Sequence, residues 1–410
     1  MGEFLLSEHG RRLTHRARTW RRLDFAVVGH EPVTKRALSA TQRAAFRAEV
    51  RQFLASRRRS AFRGPIVLRL DFKTTSATPG HIHSLAKSYL DLLGRDRAQA
   101  DDRALLFSDD SQVHGLVVRC HHGSPSPEVR ISARALRDFK ADLRDADDAG
   151  ESLVQWDSNA RSDDFSWLSE ERCEDLVEVY GASALNALRA ERDALIQRDL
   201  LRSSSSVARD LRALLRVPLL PGFESSRSLD IVAESRGRLL SSSPFRITLP
   251  ELPTSPGASD DYRRHAVDAL RRFRDAYGLL DGPIRVPLAL EVLVKPPVAT
   301  YGAGAHDLDN ILRKYLVPGV IETFRPPADF MTARHGIRAH ANNPHRGEGA
   351  LHWAPIAAAF GLIRMEAWRL PRTFDDFSPG FVSLALVADD FGFADSVAHV
   401  ESAADRLNDY

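Results

Sequence analysis

The sequence predicts an α/β (α+β) chain built from two similar mixed-sheet-plus-helix units joined by a helical connector. Three observations predict it. Short β-branched runs alternate with amphipathic helical periodicity towards both ends of the chain. The order strand, helix, Gly-Pro-led strand, loop, helix occurs twice. The stretch between the two occurrences carries helical periodicity with no β run. At 410 residues, 43% hydrophobic and 27% charged, the chain is long enough for more than one core and is neither disordered nor fibrous. The expected division is a unit over 1–150, the connector over 151–240 and a second unit over 241–410.

In the first unit, the run from Arg22 through Phe25 to Pro32 reads as a strand entering a loop. Ala40–Arg57 follows with Ala44, Phe46, Val50, Phe53 and Leu54 at helical spacing. Gly64-Pro65 then leads a β run, and Ile82–Leu93 places Leu85, Tyr89, Leu90 and Leu93 on one helical stripe. The second unit repeats the series. A strand starts at Phe245, and the helix Asp260–Tyr277 turns Tyr262, Ala266, Leu270 and Phe273 to one side. Gly282-Pro283 leads the next β run, and Leu308–Leu316 is a short helix. Each unit closes with two further β runs, Val113–Arg119 and Glu128–Ala133 in the first, Leu362–Leu370 and Phe381–Ala388 in the second. A loop rich in His, Arg, Asn and Gly, His335–Trp353, interrupts the second unit.

Composition narrows the function. No apolar run approaches the ~20 residues of a membrane span, so no membrane partner is expected. The opening MGEFLLSEHGRR lacks the basic-then-apolar order of a signal peptide. Cys120 and Cys173 cannot make a disulfide framework, and there is no CxxC. A cytoplasmic protein is the expectation. Only 6 of the 57 basic residues are lysine, a bias resembling that of GC-rich bacterial genomes. Net charge is +2, but residues 1–64 carry fifteen basic and five acidic side chains, so the rest is acidic overall. The basic block suits a phosphate-rich partner, with Arg16, Arg18, Arg21 and Arg22 as candidate nucleic-acid contacts. A solvated helix face would look the same. The five tryptophans are scattered, which suits cores and connector better than a base-stacking platform. His121-His122 reads as an exposed strand end, and Gly302-Ala-Gly304 is too short for a phosphate loop.

The chemistry-bearing stretch is Asp307-Leu-Asp-Asn-Ile-Leu-Arg-Lys. Asp309 or Asn310 could simply cap a helix. Yet Asp307 and Asp309 together repel unless a cation joins them, and hard oxygen ligands of this kind suit Mg2+. Mg2+ so held can activate water and stabilise charge on a phosphodiester.

In its D-L-D-N motif, the lysine-bearing helix that follows and the strand–helix–strand unit before it, the second unit resembles the RusA-type Holliday-junction resolvases. The first unit adds Phe107-Ser-Asp-Asp-Ser-Gln-Val113, which resembles that family's D-D-x-Q-V segment. The resemblance covers roughly 22–136 and 245–388. It implies Mg2+-dependent (or Mn2+-dependent) cleavage of branched or structured DNA. Because these resolvases are homodimers, it also implies that the two units pair as an intramolecular pseudo-dimer. A homodimer of the whole chain is the other possibility.

Both units depart from the pattern. In the first, His81 and His83 stand where the aspartate pair should be, while Lys87 and Asp110 match the lysine and the third carboxylate. This reads as a vestigial site, although two His and one Asp could ligate a transition metal. In the second, Asp307 and Asp309 hold the metal. Arg313 takes the lysine's register with Lys314 next to it, and no D-D-x-Q-V follows. Asp329, 20 positions after Asp309, is the preferred third ligand, and Glu322 is the alternative. A further arrangement has Asp110 completing the site of the second unit. The expectation is one competent site per chain, or else an inactive RusA-like DNA-binding or scaffold protein.

Overall fold

This computed structural model describes residues 7–76, 81–95, 104–121, 123–148, 246–254, 258–277, 280, 284, 288–298, 307–324, 362–370, 379–388 and 396–405, with 177, 178, 181, 182, 186 and 197. Apart from those six positions the expected connector lies outside the described residues. So do Phe245, Gly282, Asp329 and the loop His335–Trp353.

The elements fall into two series. The first is α1 (Glu8–Arg21), β1 (Leu23–Val28), α2 (Ala40–Ser56), β2 (Ile66–Lys73), α3 (Ile82–Leu93), β3 (Val113–His121), β4 (Glu128–Ala135) and α4 (Leu136–Asp148). The second is β5 (Arg246–Leu249), α5 (Ser259–Ala276), β6 (Leu288–Lys295), α6 (Leu308–Ile311), α7 (Val317–Phe324), β7 (Leu362–Arg369), β8 (Phe381–Ala388) and α8 (Ser396–Asp405).

All eight strands form one mixed sheet, in the order β1-β4-β2-β3-β7-β6-β8-β5. On one side, β1–β4 and β4–β2 are antiparallel and β2–β3 is parallel. On the other, β5–β8 and β8–β6 are antiparallel and β6–β7 is parallel. Even the irregularity in the parallel pairs recurs, between Ile66 and Val67 and between Leu288 and Ala289. The sides meet at the antiparallel pair β3–β7, where Val117 faces Glu366, Gly115 faces Trp368 and Arg119 faces Arg364. The rungs also refine the correspondence expected from sequence. Phe25 faces Ile131 as Ile247 faces Leu384, so the equivalent of Phe25 is Ile247, two residues past Phe245. β6 begins at Leu288, not at Gly282, because a Gly-Pro pair announces a strand without fixing its first rung.

Strand alternation gives the sheet two apolar faces. Leu68, Leu70, Phe72, Leu116, Val118, Leu290, Val292 and Met365 join Phe46, Leu85, Tyr89, Leu270, Leu312 and Leu316 in a core that runs across both series. On the other face Val67, Val117, Leu293 and Trp368 pack with Phe139 and Leu143 of α4 and Val397 and Val400 of α8. Each such side chain contributes ~1.5–3 kcal/mol when fully buried. Gly115 is required at the central pair. A Cβ there would lie 2.6 Å from the Trp368 ring, which stacks on Phe139 at 5.0 Å.

The helix after Asp307 is longer than the expected Leu308–Leu316. Between α6 and α7 the residues Leu312–Leu316 form a π-helical turn, and the Val317 N–H reaches back to the Leu312 carbonyl. This widened turn comes just before Pro318, which has no N–H to offer, so the chain stays helical through the proline instead of stopping.

Candidate functional site

β1, β2 and β3 run in one direction and β7 in the other. The starts of the first three and the end of β7 therefore share one rim of the sheet. Three aspartates meet at this rim. Asp110 lies in a single 3-10 turn, Asp110–Gln112, that feeds β3. Asp307 is the N-cap of α6, and Asp309 sits in its first turn. One carboxylate oxygen from each of Asp110, Asp307 and Asp309 lies within 4.8 Å of the other two.

Lys87, from the middle of α3, reaches into the group. Its Nζ is 2.7 Å from Asp110 Oδ2, 3.1 Å from Asp309 Oδ2 and 3.1 Å from Asp91. Asp309 is 3% exposed, and its buried Oδ2 accepts no well-directed hydrogen bond despite the nearby ammonium. Asn310 donates to Asp307 Oδ2 at 3.2 Å, fixing that carboxylate. Buried Arg369, the last residue of β7, donates to the Ser111 carbonyl at 2.8 Å and ties β7 to the turn carrying Asp110. The turn is further held by Gln112, whose amide accepts from the N–H groups of Ser108 and Asp109 and donates to the carbonyls of Phe62 and Gly64.

Burial first, and charge second, set how these groups titrate. Burial raises Asp110 above the ordinary carboxylate range, and the Lys87 hydrogen bond and charge offset only part of that. Burial also raises Asp307, and the neighbouring Asp309 and Asp110 push it further up. Lys87 moves up despite its burial, because Asp110, Asp309 and Asp91 favour the ammonium. Burial draws Arg369 down while Asp307, Asp109 and Asp309 work the other way. Three carboxylates around one ammonium and one guanidinium still carry excess negative charge. Oxygen donors at this spacing fit Mg2+ or Mn2+ after a small contraction, since ~2.0–2.1 Å bonds bring ligand oxygens to about 4 Å or less.

The expected residues divide unevenly. Asp307 and Asp309 are at the centre of the group. Lys87 and Asp110, expected as a remnant, belong to the same cluster as Asp309. Asp329 lies outside the described residues, and Glu322 pairs with Arg271 at 2.7 Å on the surface. Arg313 and Lys314 are exposed. Arg313 donates to Asn310 at 3.3 Å, and its charge bears on His83. His81 and His83 stack at 5.4 Å at the start of α3. Burial pushes His83 down to about 4, helped by the charges of His81 and Arg313. So α3 sets its lysine beside the start of α6, and the α6 segment sets Arg313 beside the start of α3.

Three of the four arginines expected to contact nucleic acid pair with acids of this chain. Arg18 bonds Asp142 at 2.6 Å and also Asp145, Arg21 pairs with Asp138 at 2.9 Å, and Arg22 with Glu401 at 3.2 Å. Between them His15 bridges Asp142 at 2.9 Å and Asp405 at 3.1 Å. Of the four arginines singled out, Arg16 is the one left exposed. Amphipathic spacing did not reveal α1 as a helix docked on α4 and α8, because its partners are acids more than a hundred residues away. Arg369 was missed as well, since it closes an ordinary β run. Comparisons with protein-family models, curated proteins and solved structures returned no match.

Proposed function

We propose that this chain is a RusA-like, Mg2+-dependent endodeoxyribonuclease acting on branched or structured DNA, with a single composite site. On this reading the chain is a tandem duplication folded as an intramolecular pseudo-dimer. The matched strand pairings on either side of β3–β7 support it, and so does the central pairing, which reads alike in both directions.

The observation that carries the nuclease reading is the convergence of Asp110 with Asp307 and Asp309 around Lys87. The first series lost the aspartate pair and kept the lysine and third carboxylate; the second did the reverse. What each kept meets at one place. Asp110, Asp307 and Asp309 would hold the metal. When bound, Mg2+ supplies positive charge beside a phosphodiester and makes water a better nucleophile. Lys87 offers an ammonium to a phosphate oxygen, and Arg369 keeps the Asp110 turn in place. One site per chain makes a nick, and paired cuts need two chains on one junction.

A specific observation favours a second reading, a RusA-like DNA-binding or scaffold protein without catalysis. Lys87 already bridges Asp110 and Asp309, so a metal is not needed to hold those two carboxylates together. The deciding experiment incubates the purified chain with a four-way junction and a matched duplex, with and without Mg2+. Mg2+-dependent cleavage that Asp309→Asn removes supports the nuclease. Junction binding without cleavage at any Mg2+ or Mn2+ concentration supports the scaffold.

A further inference from the structure

We propose that a single-stranded DNA segment leaving the acidic cluster follows the sheet rim across the arginines of residues 57–63 and stacks a base on Trp20. This rests on the phosphodiester reading above and adds the path of one strand and its anchor.

The path begins at the cluster. Gln112, two residues after Asp110, donates to the carbonyls of Phe62 at 3.1 Å and Gly64 at 3.2 Å. The turn that carries a candidate ligand is thus bonded to the loop before β2. Residues 57–65 hold Arg57, Arg58, Arg59 and Arg63 and no acid. Arg57, Arg58 and Arg63 are exposed. Arg59 points elsewhere, donating to the backbone carbonyl of Trp20 and joining this loop to the end of α1. The starts of β1, β2 and β3 lie on the same rim, so the cluster, the arginine loop and the end of α1 come in that order along it. Three strand spacings put the two ends about 14 Å apart, the reach of a few nucleotides.

Two features mark this rim as more than an ordinary solvated surface. Trp20 is 81% exposed, whereas Trp368 is 1% exposed. An indole exposed to water at the end of α1 gives a base a flat face, and the arginine loop bonded to that end gives its phosphates a counter-charge. Arg58 is the second feature. It ends α2 in the left-handed region, φ 52°, with the Arg58 N–H bonded to the Ala55 carbonyl and the Arg59 N–H to the Leu54 carbonyl. Glycine is the favoured residue in that motif. An arginine there keeps a charged side chain where local backbone energetics would remove it.

The test measures binding of fluorescein-labelled dT12 and of a duplex of equal length to the full chain by anisotropy, in EDTA. Trp20→Ala is expected to weaken dT12 binding about tenfold, within the range of one lost stack, and duplex binding less than about twofold. Trp20→Phe keeps an aromatic face and should stay within about threefold of wild type. Arg58→Gln with Arg63→Gln should lower the log–log salt slope for dT12 by roughly 1.4, the value for two single-strand phosphate contacts. No dT12 binding by the wild-type chain, or equal binding by wild type and Trp20→Ala, overturns the proposal. Failure of the nuclease reading shows separately, as absence of Mg2+-dependent cleavage by a wild-type chain that still binds dT12 through Trp20.

Discussion

Two helix starts on one side of the sheet, each set against the body of the other helix segment, make an instructive pair. At the start of α6 stand Asp307 and Asp309, with Lys87 from α3 beside them. At the start of α3 stand His81 and His83, with Arg313 close enough to depress His83. The backbone plan is shared and the charge is opposite. Hard oxygen donors gather at one end. At the other, neutral imidazoles sit beside a guanidinium, which repels a hard cation. The difference teaches that two helix starts in matching places on one sheet can carry opposite charge, with carboxylates from both series collected at only one of them.

The strongest way to break this comparison is mutational. Asp309→Asn and Asp110→Asn should each lower single-turnover cleavage by on the order of a thousandfold, the loss of several kcal/mol of charge stabilisation. His81→Ala with His83→Ala should stay within about twofold. Full activity in Asp110→Asn would return the third-ligand role to another residue.

Metal binding itself sharpens the contrast. At a hundredfold excess over its Kd, Mg2+ adds about 2.7 kcal/mol of stability to a one-site protein. A calorimetric melt of the wild-type chain should rise by several degrees with Mg2+ or Mn2+, and His81→Ala/His83→Ala should respond alike. Asp309→Asn should not respond. A shift that vanishes in the histidine variant would move the metal to the other end.

Lys87→Met probes whether the acidic end is built around its ammonium or for a cation from outside. Without divalent ion the variant leaves Asp110 and Asp309 without that counter-charge and should lose about 2 kcal/mol in urea unfolding. Mg2+ should restore most of that loss if the site takes a metal. No restoration would favour the structural ion cluster.

The smallest effect concerns pH. Burial holds folded His83 at about 4, below the ordinary histidine value of 6.5. The unfolded chain therefore binds the proton more readily between those values. The stability from this group is complete above pH 6.5 and falls away as pH drops towards 4. His83→Leu should flatten that part of the stability–pH curve by on the order of 2 kcal/mol, and an NMR titration should place the His83 midpoint near 4. A midpoint near 6.5 would show that burial does not hold the imidazole neutral and that the histidine end gains charge as soon as pH falls below neutral.

Local patterns made much of this fold readable. Ile82–Leu93 matches its element because apolar periodicity and burial agree there, and Phe381–Ala388 matches because it is a largely apolar run of strand length, buried from Val382 to Val387. The two series were visible because the same order of strands and helices recurs along the chain. What stayed hidden depends on contacts between distant residues. Asp329 and Asp110 were both available as the third carboxylate, and only the placement of β3 beside β7 brings Asp110 to α6. Arg18 and Arg21 looked like phosphate ligands because Asp138, Asp142 and Asp145 lie so far along the chain. Rung-level correspondence was also out of reach, since turn residues precede a strand by varying lengths.

The pairing of β3 with β7 also sets an order of events during synthesis. Residues 113–121 leave the ribosome about 250 residues before 362–369, a wait of roughly 12–50 s at ~5–20 residues per second. Through that interval β3 waits for its β7 partner, and the groups on that edge, as opposed to the one paired with β2, are the ones an unrelated nascent strand could meet. Gly115 adds to the exposure, since the indole of Trp368 that covers it is among the last parts made. Rapid translation of the region between the two strands, or a chaperone on the early half, would shorten or shield that window.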